Sequence, residues 1–575
     1  MRFRSFAMFA LTAGVAVLLG ELSTADAQTA QEKKQKRLEK FLKKGDPAKP
    51  DAPAKPDAPA KPVDPAKPLP TVVAAPTTKD AAALAKLINA EINRKLAVAK
   101  IAPSALCTDE EFLRRAYLDI TGVIPSVEKA KAFLDDATAN KRAKLLDELL
   151  ADPNYGRRMA DIWAAKLFPR DSANRFVLKE PFYKWFEDEF NKNVSWDKLV
   201  TALVTAEGSV EENPATTYFL ANRSVDKLTD TVGQHFMGIQ LQCAQCHNHP
   251  FTTWKQTEYW GMASFFSKVK ADNPKNANKG GDNTKIGVTE GNTRTKTKDF
   301  FPESAKTVPA KFLGGAEPKL SDKEAYRPVL AKWMTAAENP YFARSLVNRT
   351  WAHLFGRGFV NPVDDMLAEN ESSHPELLDA LARHVGTAGE FDIKYLLKAI
   401  CLSETYQRTS RPAAANKDDH ELFSHMTMKV MAPEQLFDSL AVVTGMGKGG
   451  KERPAKGAAA AKGAPVGARA QFVNFFLSGA DSTSPVDYEA GIPQALRLMN
   501  SPIANNPATV KAIIGSATKP EEVIEKIYLA VFSRRPTADE TKMLTEYTNK
   551  NGPAATAYGD ILWAALNSSE FTLIK

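Results

Sequence analysis

The chain has 575 residues, 43% hydrophobic and 25% charged, which is enough for several domains with real cores. Its net charge is +8, but Gln28 to Pro70 alone holds 11 Lys/Arg against 6 Asp/Glu, so the rest is nearly neutral and offers no basic surface for nucleic acid. The apolar run Phe6 to Leu19 is too short to span a membrane, and the longest run without Asp, Glu, Lys or Arg, Thr231 to Trp254, is rich in Gln, His and Thr, which excludes a multi-span membrane protein; four cysteines are too few for a disulfide-stapled scaffold.

Arg2 and Arg4, the apolar run Phe6 to Leu19 and the small residues Ala25-Asp26-Ala27 predict a signal peptide over 1–27 and export, the alternative being an uncleaved membrane anchor. From 28 to 77 a Lys-rich stretch runs into the repeat Asp46-Pro47-Ala48-Lys49-Pro50 and its successors. Such a composition buries no core and favours extended polyproline II, so it predicts a disordered Pro/Ala/Lys-rich stalk. Deleting Asp46 to Pro70 is therefore expected to leave the melting temperature unchanged, and a loss of several degrees would show that the segment packs on the body.

From 78 to 270 apolar residues recur at helical spacing, as in Leu84, Leu87, Ile88 and Ile92, or Leu145, Leu146, Leu149 and Leu150. Ser126 reads as an N-cap, Asp152-Pro153 as a turn, and Asp230 to Gln242 as a helix. Residues 271–320 are rich in Gly, Asn, Thr and Lys, with a strand-like run at Lys285 to Thr289, and predict a loop or small β insert. Residues 321–575 return to helix. Ser321 to Glu324 and Thr537 to Glu540 carry capping-box patterns, Pro375 and Pro433 suit first helical turns, Gly552 a helix end, and 448–470 is a Gly/Ala/Lys flexible insertion. The reading is mainly α: two helical domains with a small insert between them, behind a signal peptide and stalk.

The sharpest chemical signal is Cys243-Ala244-Gln245-Cys246-His247, the C-x-x-C-H pattern of c-type haem attachment. Two thiols at this spacing each form a thioether to a haem vinyl group, and the adjacent imidazole becomes the iron's axial ligand. With four cysteines and eight histidines, chance produces the pattern about four times in ten thousand such chains. For the opposite ligand Met262, Met237, His235 and His249 are all near in sequence. Other chemistries fit the same residues: a zinc site of Cys243, Cys246, His247 and His249, a C-x-x-C disulfide, or simple burial with no cofactor.

Phe112-Leu113-Arg114-Arg115-Ala116-Tyr117-Leu118-Asp119-Ile120-Thr121-Gly122 with Ile124-Pro125, and Cys243 to Phe251, resemble the planctomycete cytochrome-like domain. Asn339 to Arg344, Asn348 to Trp351, Gly356 to Gly358, Ser373 to Leu378, Ser403 to Tyr406 and Phe532 to Pro536 resemble the domain that normally follows it. The resemblance covers roughly 80–270 and 325–575, and both domains are of unknown function. It implies a periplasmic, cell-surface or secreted protein with haem c, in electron transfer or serving a partner such as a redox protein or a secreted sulfatase-like protein. It implies no transmembrane segment once the signal is removed, and association with the cell envelope.

Weaker candidates remain. Asp364, Asp365, Glu369 and Glu371 beside His374 suit acid–base work or calcium, but a solvated loop before a helix N-terminus, where acids are electrostatically favourable, is the favoured reading. Arg344, Arg349 and Arg357, near Trp351 and His353, suit an anion or ion pairs with that acidic stretch, and ion pairs are the favoured reading. Gly445 to Lys451 fits G-x-x-x-x-G-K, but Glu452 stands where Ser or Thr is required, which rules out a phosphate loop. Cys107 and Cys401 are expected to be separate buried thiols. Trp254, Tyr259, Trp260, Phe265 and Phe266 support a second function class, a non-redox surface module stacking on polysaccharide or binding protein, although core packing explains the same spacing.

Overall fold

The structure, a computed structural model, describes residues 75–168, 177, 179–250, 252–272, 285–291, 308–321, 323–367, 369–445, 467–477, 492–500, 507–550 and 554–575. The signal segment, the stalk up to residue 74, most of the insertion (448–466), Phe251 and Gly552 lie outside the described residues.

Local signals set the first helices. Asp80 accepts from the amides of Ala82 and Ala83 to open α1 (Ala81–Ala99), whose Leu84, Leu87, Ile88 and Ile92 are buried at helical spacing. Thr108 caps α2 (Asp109–Thr121), which carries three acids in its first turn, favourable against the helix dipole. It stops at Gly122, whose φ of +74° suits glycine and whose added Cβ would meet Arg158 Cδ at 2.9 Å. Ser126 caps α3 (Val127–Asp135) as read, and α4 (Lys141–Ala151) ends where Asp152 and Pro153 start α5 (Pro153–Leu167). Then come α6 (Glu180–Asn191), α7 (Trp196–Val204), α8 (Thr217–Ala221), α9 (Val225–Met237) and α10 (Gln256–Ala263).

The predicted helix Asp230 to Gln242 is corrected: α9 starts earlier and ends at Met237, because Gly238 takes the left-handed conformation. Gln242 belongs to a separate 3-10 turn, Gln242–Gln245.

Among the described residues the insert supplies one whole strand, Gly287–Glu290. Antiparallel β1 (Gly208–Ser209), β2 (Val269–Ala271) and β3 (Gly287–Glu290) pair in the order β1-β3-β2, with Val269 opposite Glu290. Among the described residues the rest is helical: α11 (Arg327–Met334), α12 (Phe342–Phe355), α13 (Pro375–Gly386), α14 (Ile393–Leu402), α15 (Pro433–Thr444), α16 (Ala468–Leu477), α17 (Ile492–Met499), α18 (Pro507–Ile514), α19 (Pro520–Phe532), α20 (Ala538–Lys550), α21 (Ala554–Leu566) and the short α22 (Ser569–Thr572). A second small sheet pairs β4 (Lys429–Val430) with β5 (Leu573–Ile574). Pro375 and Pro433 open their helices as read, and Thr537 and Glu540 exchange the reciprocal bonds of a capping box. Ser321 to Glu324 closes a turn instead of starting a helix. The start of α11 is capped from outside, since the Glu290 carboxylate accepts from the amides of Tyr326 and Arg327.

The core joins both helical segments. One apolar cluster runs from Leu84 to Leu529, and a second gathers Leu118 and Ile124 with residues from Met431 to Ile574. The link is α2, in which every residue from Phe112 to Thr121 is buried, Arg114, Arg115 and Asp119 included. Those polar side chains all reach across the sequence. Arg114 donates to the carbonyls of Val531 and Phe571. Asp119 accepts from Lys429 Nζ at 2.6 Å and Tyr406 Oη at 3.0 Å. Buried charges persist only when paired in this way. No helix among the described residues is long and apolar enough to cross a membrane.

Candidate functional site

Helix α9 delivers the Cys243–His247 motif to the surface. After Gly238 the chain turns back, the Ile239 amide donating to Gly233 O at 2.9 Å, and Ile239 and Leu241 are buried. Ala244 then faces the core while Cys243, Cys246 and His247 are exposed. All four cysteines are free, Cys107 and Cys401 as two buried thiols.

The loop is held from the side by α10. Gln256 Nε2 donates to Gln245 O at 3.1 Å and Cys246 O at 2.9 Å, and the Gln256 amide donates to Asn248 Oδ1 at 3.0 Å. Trp260 Nε1 donates to Gln245 O at 3.1 Å. His247 Nδ1 lies 2.7 Å from Asn248 O. A carbonyl oxygen only accepts, so Nδ1 carries the proton, and Nε2 keeps the lone pair that a metal ligand needs. The donor set therefore suits haem: two unbridged thiols at the surface and, next to them, an imidazole in the ligating tautomer.

The candidates for the opposite ligand stand elsewhere. Met237 and Met262 are wholly buried. His235 points into the interior, Nδ1 3.8 Å from Asp364 Oδ2, and burial pushes it down to about 3. His249 is half-buried, its amide donating to Trp254 O. Among the described residues no three His, Cys, Asp or Glu side chains gather as a metal would require, so Cys243, Cys246, His247 and His249 do not form a closed four-donor set here.

The weaker candidates scatter. Arg349 pairs with Asp364 at 2.5 Å as the ion-pair reading expects, but Arg344 pairs with Asp379 and Arg357 with Glu421, both outside the acidic stretch. His374 is buried between Phe359 and Phe423, and His353 Nε2 meets the Asp119 carbonyl. Tyr259, Trp260, Phe265 and Phe266 are core, and half-buried Trp254 packs against it, so this run offers no stacking face for sugars. Beneath the loop Tyr259 Oη donates to Asp230 Oδ1 at 3.1 Å, and burial lifts the Asp230 carboxyl to about 6. No local pattern marks Gln256 as a loop-holding residue, since its role arises only where α10 packs on the loop.

Two family models match the chain. PSCyt2, a protein of unknown function (DUF1549), covers residues 87–271, and PSD1, a protein of unknown function (DUF1553), covers 326–462. No curated protein and no solved structure matches it. The first match contains the Cys243–His247 loop and α10 beside it, and the second contains α12, which packs on α9. The chain thus joins a segment that matches the PSCyt2 family to one that matches the PSD1 family, in that order, both of unknown function.

Proposed function

We propose that Cys243, Cys246 and His247 attach one haem covalently and that the protein is an exported one-electron carrier serving a redox partner or partner enzyme. The observation that carries this reading is the exposed pair of unbridged thiols beside an imidazole whose Nδ1 is engaged by Asn248 O. Each thiol adds across a vinyl C=C, sulfur to one carbon and hydrogen to the other, so attachment consumes no electrons. The haem, when bound, supplies the Fe(III)/Fe(II) couple. The chain's part is to present both sulfurs from a turn fixed by Gln256 and Trp260, and to hold His247 in one tautomer. Export follows from the N-terminal sequence and agrees with covalent haem being installed outside the cytoplasm.

Expression in a host with haem-attachment machinery tests this. Wild-type protein is expected to be red and to keep its haem through denaturing electrophoresis. Cys243→Ser or Cys246→Ser should each leave one thioether, and the double variant none. His247→Ala should keep the covalent bond with a shifted spectrum. Colourless, fully matured wild type sinks the reading. Stoichiometric zinc lost in all three variants would then assign a metal site, and a thiol pair appearing only on reduction a disulfide.

A further inference from the structure

The root of the Cys243–His247 loop is gripped by the second helical segment. Arg349, on α12 and 6% exposed, donates through Nη2 to Gln234 O at 3.0 Å, one of the last carbonyls of α9, and pairs with Asp364 Oδ1 at 2.5 Å. Asp364 Oδ2 in turn accepts from Gln234 Nε2 at 3.4 Å and faces His235. The guanidinium lies 5.4 Å from the Trp163 ring centroid, on α5. Four residues past Gln234, Gly238 O accepts from the Met366 amide at 2.8 Å. The fit at Gly238 is close: an added Cβ would meet Met366 Sδ at 2.8 Å and Ser345 Oγ at 3.3 Å.

A cation capping the carbonyl end of a helix is favourable, and here one guanidinium nitrogen, Nη2, meets the Gln234 carbonyl and the Asp364 carboxylate together. Gln242 to Cys246 begins only four residues beyond Gly238. From this geometry we infer that Arg349, with Asp364, is a positioning residue for the attachment loop, and that one task of the PSD1 segment is to hold the two thiols in register with His247. The purpose rests on the haem reading, whereas the clamp itself does not.

The test uses the full-length chain without haem, comparing wild type with the charge-neutral pair Arg349→Gln/Asp364→Asn. Amide exchange from Ile239 to Cys246 should accelerate roughly tenfold or more while α1 and α14 keep wild-type protection. On maturation with haem, the single-thioether fraction should rise by mass spectrometry. Unchanged exchange at Ile239 to Cys246 overturns the inference, as does acceleration spread evenly over the chain, which marks a merely structural pair. Should that variant fail to fold, Gly238→Ala disturbs the same joint from the loop side, and it too must loosen 239–246 selectively or the inference fails. Colourless wild type with selective loosening would sink the haem reading alone.

Discussion

Arg115→Leu is expected to destabilise the fold by about 3–5 kcal/mol, the range for removing one partner from a buried charge network. Arg115 is fully buried in α2. Its Nε donates to Lys575 O at 2.6 Å, its Nη1 to Tyr406 O at 2.5 Å and Arg408 O at 3.0 Å, and its Nη2 to Glu111 Oε1 at 2.6 Å. Leucine fills part of the space but leaves three carbonyls short of a donor and removes the cation from Glu111. Unfolding entropy grows with chain length, and at about 1 °C per kcal/mol for a cooperative body of this size the melting temperature should fall by roughly 3–5 °C. Arg115→Lys keeps the charge but not the fork, so it should fall between the two. Thermal or urea unfolding reads the effect, and a leucine variant melting within a degree or two of wild type would refute this account of α2.

Acidification below pH 6.5 is the second large effect. Burial pushes His235, His353 and His374 each down to about 3, with Arg349, Arg158 and Lys95 respectively adding to it. In the unfolded chain each returns to about 6.5. The unfolded state therefore takes up protons that the folded state refuses. The stability these groups contribute is complete above pH 6.5 and is lost as pH falls through 6.5 toward 3. Each loses about 1.4 kcal/mol per pH unit over that window, so the three together lose about 4 kcal/mol per unit. Asp230 opposes them in part: lifted to about 6, it holds a proton the unfolded chain has released, and its contribution grows as pH falls from 6 toward 4. Urea unfolding at pH 7.5, 6.5 and 5.5 measures the slope. His374→Phe, between Phe359 and Phe423, should reduce it by close to one proton's worth, and an unchanged slope would show that His374 is not held neutral.

Both effects rest on polar groups whose burial no local pattern announced. Apolar spacing and capping residues marked α1, α3, α4, α13 and α15, because a helix's buried stripe and its terminal amides are satisfied within a few residues of sequence. The Ser321 box failed as a helix start for the complementary reason. The Glu324 carboxylate accepts from the Ser321 amide and closes a turn, and the orphan amides of α11 are met by Glu290, more than thirty residues earlier. In the acidic stretch only Asp364 met its expected arginine, since Asp379 and Glu421 were brought to Arg344 and Arg357 by packing.

By itself the sequence determined the mainly helical class, the signal and stalk compositions, the order of the two family domains, and the Cys243–His247 motif. Each of these is written in spacing or composition over a few dozen residues at most. Only the tertiary structure decided that the two helical segments share a core through α2, that the aromatic run after the motif is interior, and that His235 is buried beside the Arg349–Asp364 pair. It also decided that the thiol loop is held by Gln256 on one side and rooted through Arg349 on the other. Such assignments depend on which distant groups meet in space, and a buried charge or an orphan carbonyl accepts whichever partner packing delivers to it.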